Sequence, residues 1–123
     1  MIPSLLLVMT LGCSRDGGDP GKTPAPPNQG TYSAEIFVAD AAAGWCGAVR
    51  DCEPGTWQGV HGGDQSTCLS AERSRWQAEL DQMDCEFDVD LAVMCVNSLA
   101  TTTCEAWEAG TTQSRCTAVT HCP

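Results

Sequence analysis

Between Ser33 and about Asp51 the apolar residues Phe37, Val38, Ala41, Ala42, Trp45 and Val49 recur at three- and four-residue steps. That stripe predicts an amphipathic helix. Ser33 is placed to cap its N-terminus, Glu35 in the first turn suits the helix dipole, and Pro54-Gly55 marks its expected end. Residues Glu53 to Gln65 carry four glycines and predict an irregular loop, with Trp57 and Val60 tucked onto the core. A second helix is expected from about Ser66 to Gln82, with Leu69, Trp76, Leu80 and Met83 inward and Glu72, Arg73, Arg75, Glu79 and Asp81 outward. A third runs from Asp88, its N-cap, to about Ala100. In it Leu91, Cys95 and Leu99 share one face, so the Cys95 sulfur is expected to be buried. Thr103 is placed to cap a short fourth helix over Cys104 to Ala109, closed by Gly110. The tail predicts at most one further helical turn, around Cys116 to Thr120. No alternating run of useful length predicts a strand, so the expected class is all-α, with three to four helices.

The segment before this domain has a different pattern. Ile2 to Gly12 is apolar but short and contains Pro3, whereas a helix needs about 20 apolar residues to cross a bilayer core. A signal-peptide core of about 7–15 residues fits it better. The run ends Leu11-Gly12-Cys13, and bacterial lipoprotein signals resemble it: an apolar core, then a small residue directly before a cysteine. Such a cysteine supplies the thiol for a diacylglyceryl thioether and becomes the new N-terminus. Residues 1–12 are therefore expected to be a lipoprotein signal peptide and Cys13 the lipidation site. Thr10 and Leu11 reverse the usual order of that motif, and no Lys or Arg precedes the apolar run; a start placed too late would account for the second departure. Residues Ser14 to Gly30 hold four Gly and four Pro and almost nothing apolar. Such a stretch cannot offset its ordering entropy, so 13–30 is expected to be a tether reaching roughly 50 Å at about 3.1 Å per residue. Ser14, where lipoproteins kept in the inner membrane carry Asp, implies the outer membrane as destination.

That leaves residues 31–123 to fold, a length at which a core alone gives little stability and staples are common. The chain has nine cysteines. One stands at the signal boundary, and the other eight (Cys46, Cys52, Cys68, Cys85, Cys95, Cys104, Cys116, Cys122) lie in the domain, enough for four disulfides in an exported protein. Eight cysteines allow 105 connectivities. Cys46 and Cys52, six residues apart, would be separated by about 9 Å of rise and about 240° of turn on one helix, beyond the roughly 7 Å limit between bridged Cα atoms. They should not pair with each other, nor should Cys116 with Cys122 if that segment is helical. The expected pairs are Cys52 with Cys68 across the glycine-rich loop and Cys46 with Cys95 between the first and third helices. Cys85, Cys104, Cys116 and Cys122 would then clamp the C-terminal half.

With this ladder in view, the spacing Cys46-x5-Cys52, the single Cys68 and Cys85, Cys95-x8-Cys104 and the closing Cys116-x5-Cys122-Pro123 resembles the small eight-cysteine lipoproteins of myxobacteria. The segments Met94 to Leu99, Thr103 to Trp107 and Cys116 to Val119 are the most similar parts. The resemblance implies a helical, envelope-anchored protein and transfers no active site.

Charge narrows the partners. The formal net charge is −10, with six Lys and Arg in all. Binding nucleic acid or anionic lipid headgroups needs clustered cations, so both are disfavoured. Zinc is disfavoured by the absence of C-x2-C pairs and by the isolation of His61 and His121. In the run Asp81, Asp84, Glu86, Asp88, Asp90, the alternation from Glu86 resembles the first ligands of an EF-hand loop. Its required glycine is Leu91 here, however, and its closing glutamate is Asn97. His61, Asp64 and Ser66 lie close in sequence but within one glycine-rich loop, and no G-x-S-x-G occurs. The four Trp residues, Trp45, Trp57, Trp76 and Trp107, are expected to bulk the core. No catalytic residue, metal site or cofactor is therefore expected. The reading is a lipid-anchored, non-enzymatic interaction or structural module whose partner is a protein or a small molecule. The alternative is a ligand- or cation-binding protein using Trp57 and His61 or the acidic run Asp81 to Asp90.

Overall fold

A computed structural model describes residues 31–123; the signal peptide expected over 1–12, the lipidation expected at Cys13 and the tether expected over 13–30 lie outside the described residues. Six helices follow one another: α1 (Ala34–Cys52), α2 (Pro54–Gly59), α3 (Gln65–Asp81), α4 (Val89–Thr101), α5 (Cys104–Ala109) and α6 (Thr111–Thr120). No strand occurs among the described residues, and the domain is all-α. The local signals fix most boundaries. Ser33 accepts a hydrogen bond from the Ile36 N–H, Asp88 from Leu91 and Thr103 from Ala106, each satisfying a donor that a helix start leaves open. Gly110 closes α5 at φ +83°, a left-handed conformation that costs a Cβ-free residue nothing.

Two helices exceed the three to four expected. Pro54, read as a stop, begins α2 from its first turn, where its missing N–H has no role. The expected irregular loop thus shrinks, and Val60, expected inside, is 69% exposed at the end of α2 while Trp57 is buried. The tail forms ten residues of helix rather than one turn.

Packing divides the domain into two helix pairs. α3 lies along α1 and α6 along α4, the pairs meeting where α1 crosses α4; α2 and α5 both pack on α1, and α5 also touches α6. Each pair is riveted by a fully buried disulfide, Cys46–Cys68 between α1 and α3 and Cys95–Cys116 between α4 and α6. Cys52–Cys104 joins the end of α1 to the start of α5, and Cys85–Cys122 joins the α3–α4 linker to the segment after α6. All Cα separations, from 4.5 to 5.9 Å, are ordinary for disulfides. The expected pairs Cys52–Cys68 and Cys46–Cys95 are therefore not formed. Because α3 doubles back along α1, Cys68 in its first turn meets Cys46, a turn and a half before the end of α1. Cys95 faces α6 instead of α1, and Cys104 leaves the expected C-terminal set to pair with Cys52.

The α1–α4 crossing depends on Gly44. A Cβ there would lie 2.7 Å from Leu99 Cβ, an atom fixed to the α4 backbone, so the helices would have to separate. Gly44→Ala is expected to lower stability by about 1–3 kcal/mol through overpacking, despite a helix-propensity gain of about 1 kcal/mol. Gly47→Ala, one turn on, meets nothing nearer than Arg50 Nη2 at 3.9 Å and is expected to raise stability by up to ~1 kcal/mol. Urea melts of the two variants check this; a shift of the same sign in both would contradict the crossing as described.

Candidate functional site

Most residues that sequence reasoning offered for chemistry have structural duties. The carboxylate Oδ2 of Asp64 accepts from the Ser66 hydroxyl at 2.7 Å and from the Thr67 N–H and hydroxyl at 2.9 and 2.7 Å, capping α3. The Ser66 bond above all, then those from Thr67, holds the Asp64 carboxyl below its ordinary range. His61 makes no side-chain contact with it: only its backbone carbonyl accepts the Asp64 N–H, and its buried ring leans on Trp57 at 6.2 Å. His61, Asp64 and Ser66 are thus not assembled into a relay. Trp57 and His61 close a corner ahead of Gly62 and Gly63, both in the left-handed region.

The cysteines are consumed pairwise, so the domain's eight sulfurs offer no thiolate to a metal. Among the described residues no three His, Cys, Asp or Glu side chains gather as a metal site. The acidic run instead links α3 to α4. Asp81 accepts from Gln77, Asp88 caps α4, and Asp84 and Glu86 are exposed.

Three of the four tryptophans, Trp45, Trp76 and Trp107, form a stack through the middle of the domain. Phe87 leans on Phe37 at 5.7 Å, Phe37 meets Trp76 edge-on at 5.3 Å, Trp76 meets Trp45 at 5.9 Å and Trp45 meets Trp107 at 4.8 Å. Arg75, expected to face solvent, lays its guanidinium 4.5 Å from the ring centres of both Trp45 and Trp76, and Glu72 and Glu79 hold it there at 2.6 and 3.2 Å. Trp107 Nε1–H donates to Glu53 Oε2, tying α5 to the residue between α1 and α2. At the head of α1, the buried Tyr32 phenol donates to Asp40 at 3.1 Å. Burial first, and then the Asp40 charge and hydrogen bond, push its ionisation upward. These aromatic side chains are core rather than the walls of a ligand site.

Apart from these residues lies a groove that sequence reasoning missed. It has a volume of about 460 Å³ and lies among the α3–α4 linker, the first turn of α4, the end of α6 and the segment beyond it. Leu91, Ala118, Val119 and Pro123 give it an apolar lining, Glu86 and Asp88 an acidic one, and Cys85 and His121 complete it. The Cys85–Cys122 bond holds those walls together, because Cys122 sits between His121 and Pro123. The groove can bury an apolar group beside a cation; it presents no nucleophile and base within reach of each other. No protein-family model matches this chain, and no curated protein or solved structure matches it.

Proposed function

We propose that this chain is a lipid-anchored protein of the bacterial cell envelope that carries a rigid, disulfide-stapled helical domain as a non-enzymatic interaction or structural module. The observation that carries the reading is the division of the cysteines. Eight close four bonds between separate elements of the domain, which requires an oxidising compartment, and the ninth, Cys13, stands behind Gly12 at the end of an apolar run. A diacylglyceryl group on Cys13 would anchor the chain, and residues 14–30 would space the domain from the bilayer. With Ser14 after the lipid-site cysteine, the outer membrane is the proposed site. The domain's own surface does not compete for the bilayer: residues 31–123 hold fourteen Asp and Glu against four Arg and no Lys. Anionic headgroups and nucleic acid alike would repel it. Among the described residues no helix is long and apolar enough to cross a membrane.

The test is intact mass after expression of the full chain in a lipoprotein-processing bacterium fed labelled palmitate. The expected product begins at Cys13, carries the label, fractionates with membranes and gains about 8 Da on reduction. Cys13→Ser is expected to abolish the label and the membrane fraction while keeping all four disulfides. An unlabelled product cut elsewhere would overturn the anchor, and free thiols among the eight would overturn the compartment.

A further inference from the structure

We propose that the groove beside the Cys85–Cys122 bond binds a basic segment of a partner protein, one with an apolar side chain flanked by lysine or arginine. This rests on the interaction-module reading and names the partner's chemistry.

The argument is charge complementarity around an apolar cleft. Leu91, Ala118, Val119 and Pro123 offer an apolar group a place to leave water, and Glu86 and Asp88 border the same space. Among the described residues no Lys or Arg lines the groove. The domain's four arginines stand elsewhere. Arg50 bonds Asp51, Arg75 bonds Glu72 and Glu79, Arg115 donates to Ser98, and Arg73 lines a separate hollow beside Val38. Among the described residues neither Glu86 nor its neighbour Asp84 forms a salt bridge. A cation entering beside an apolar anchor therefore meets uncompensated carboxylates within a field set by the whole formal charge of −10. An acidic or phosphorylated segment would meet the opposite. No strand occurs among the described residues, so the groove offers no sheet edge, and recognition runs through side chains seated between the linker, α4 and the end of α6.

The geometry also gives the disulfide a role in recognition. Cys85 is a wall, and its bond to Cys122 holds His121 and Pro123 across from Leu91. Replacing both cysteines by serine would free residues 121–123, while the other three bonds still hold the helices together.

The experiment places the full lipidated chain on neutral phosphatidylcholine vesicles, with bare vesicles as blank. Two labelled peptides, Lys-Lys-Leu-Leu-Lys-Lys and Glu-Glu-Leu-Leu-Glu-Glu, are titrated onto it. The lysine peptide is expected to bind at least about tenfold more tightly than the glutamate peptide, with affinity falling as salt rises. Ala118→Arg, which fills the groove and places a cation in it, is expected to reduce that affinity about tenfold or more. Because that variant alters a helix position, the pair Glu86→Gln and Asp88→Asn serves as the second arm. Asn still caps α4, so the fold is kept while affinity falls about three- to tenfold and its salt dependence flattens. Equal binding of both peptides, no binding, or binding indifferent to Ala118→Arg would overturn the assignment, the last meaning diffuse attraction to an acidic surface. A self-association that Ala118→Arg abolishes would also overturn it, since the occupant would be a second copy. A partner photo-crosslinked through another face would sink the groove and leave the interaction module standing. An unlipidated Cys13 would remove the anchor without touching the groove.

Discussion

Full reduction of the four disulfides is expected to unfold residues 31–123, with loss of the far-UV helical signal and of any cooperative thermal transition. The bonds close loops spanning 22, 52, 37 and 21 residues. On the chain-entropy account each such loop contributes about 3–4 kcal/mol. A domain of this size has a net stability of only about 5–15 kcal/mol, so the four together match or exceed it. Two of the bonds are also core: Cys46, Cys68, Cys95 and Cys116 are all 0% exposed, at the contacts where α3 meets α1 and α6 meets α4. The loss should be staged. Cys122 is exposed and Cys52 and Cys104 are half-buried, so a mild reductant can reach those two bonds in the folded domain. The buried pair opens only when the helices part. Alkylation and mass spectrometry during a reductant titration, read beside circular dichroism, should show two bonds lost with helicity intact and then two lost together with it. A fully reduced domain that still melts cooperatively would show that the packed helices suffice without the bonds.

The same division between local and non-local information decides what could be read from the sequence. The start of α1 at Ser33, of α4 at Asp88 and the whole of α5 between Thr103 and Gly110 were legible because a cap is a contact over three or four residues. The helical class was legible from the stripes. Pro54 was ambiguous by chemistry, since the residue that ends one helix is well suited to begin the next. α6 was hidden by its composition. Thr111, Thr112, Ser114, Thr117 and Thr120 are weak helix formers, and its start has no side-chain cap; the buried Cys116 and Val119 and the bond to Cys95 hold the segment helical from outside. The pairing of cysteines needed the register of α3 along α1, which no spacing encodes. The groove was further still from view. The packing of α6 along α4 brings Ala118 to Leu91, and the Cys85–Cys122 bond adds Pro123 from the segment beyond α6. Two residues of the acidic run, Glu86 and Asp88, border the groove.

Trp76→Ala is expected to be the most damaging single substitution in the aromatic core. Trp76 is 1% exposed and is the ring on which Phe37 and Trp45 converge, with Arg75 above it. Truncating a buried tryptophan costs about 3–5 kcal/mol in lost transfer energy and cavity. The Arg75 contact adds about 0.5–2 kcal/mol that lapses with the ring. At about 4–8 °C per kcal/mol for a domain of this length, Tm should fall by at least about 15 °C. Trp76→Phe isolates what the indole contributes beyond its bulk. Trp76 Nε1–H is buried with no hydrogen-bond partner among the described residues, and a buried unsatisfied donor costs about 1–3 kcal/mol. Phenylalanine removes that donor, keeps a ring for Phe37 and Trp45 to meet, and leaves a smaller void. Its loss should stay below about 1.5 kcal/mol, because the two terms oppose each other. Thermal melts at fixed reductant-free conditions distinguish the cases, with near-UV circular dichroism reporting whether the remaining rings stay ordered. If Phe costs as much as Ala, the indole nitrogen has a partner in solution, and the stack draws its strength from that bond rather than from the packing of rings.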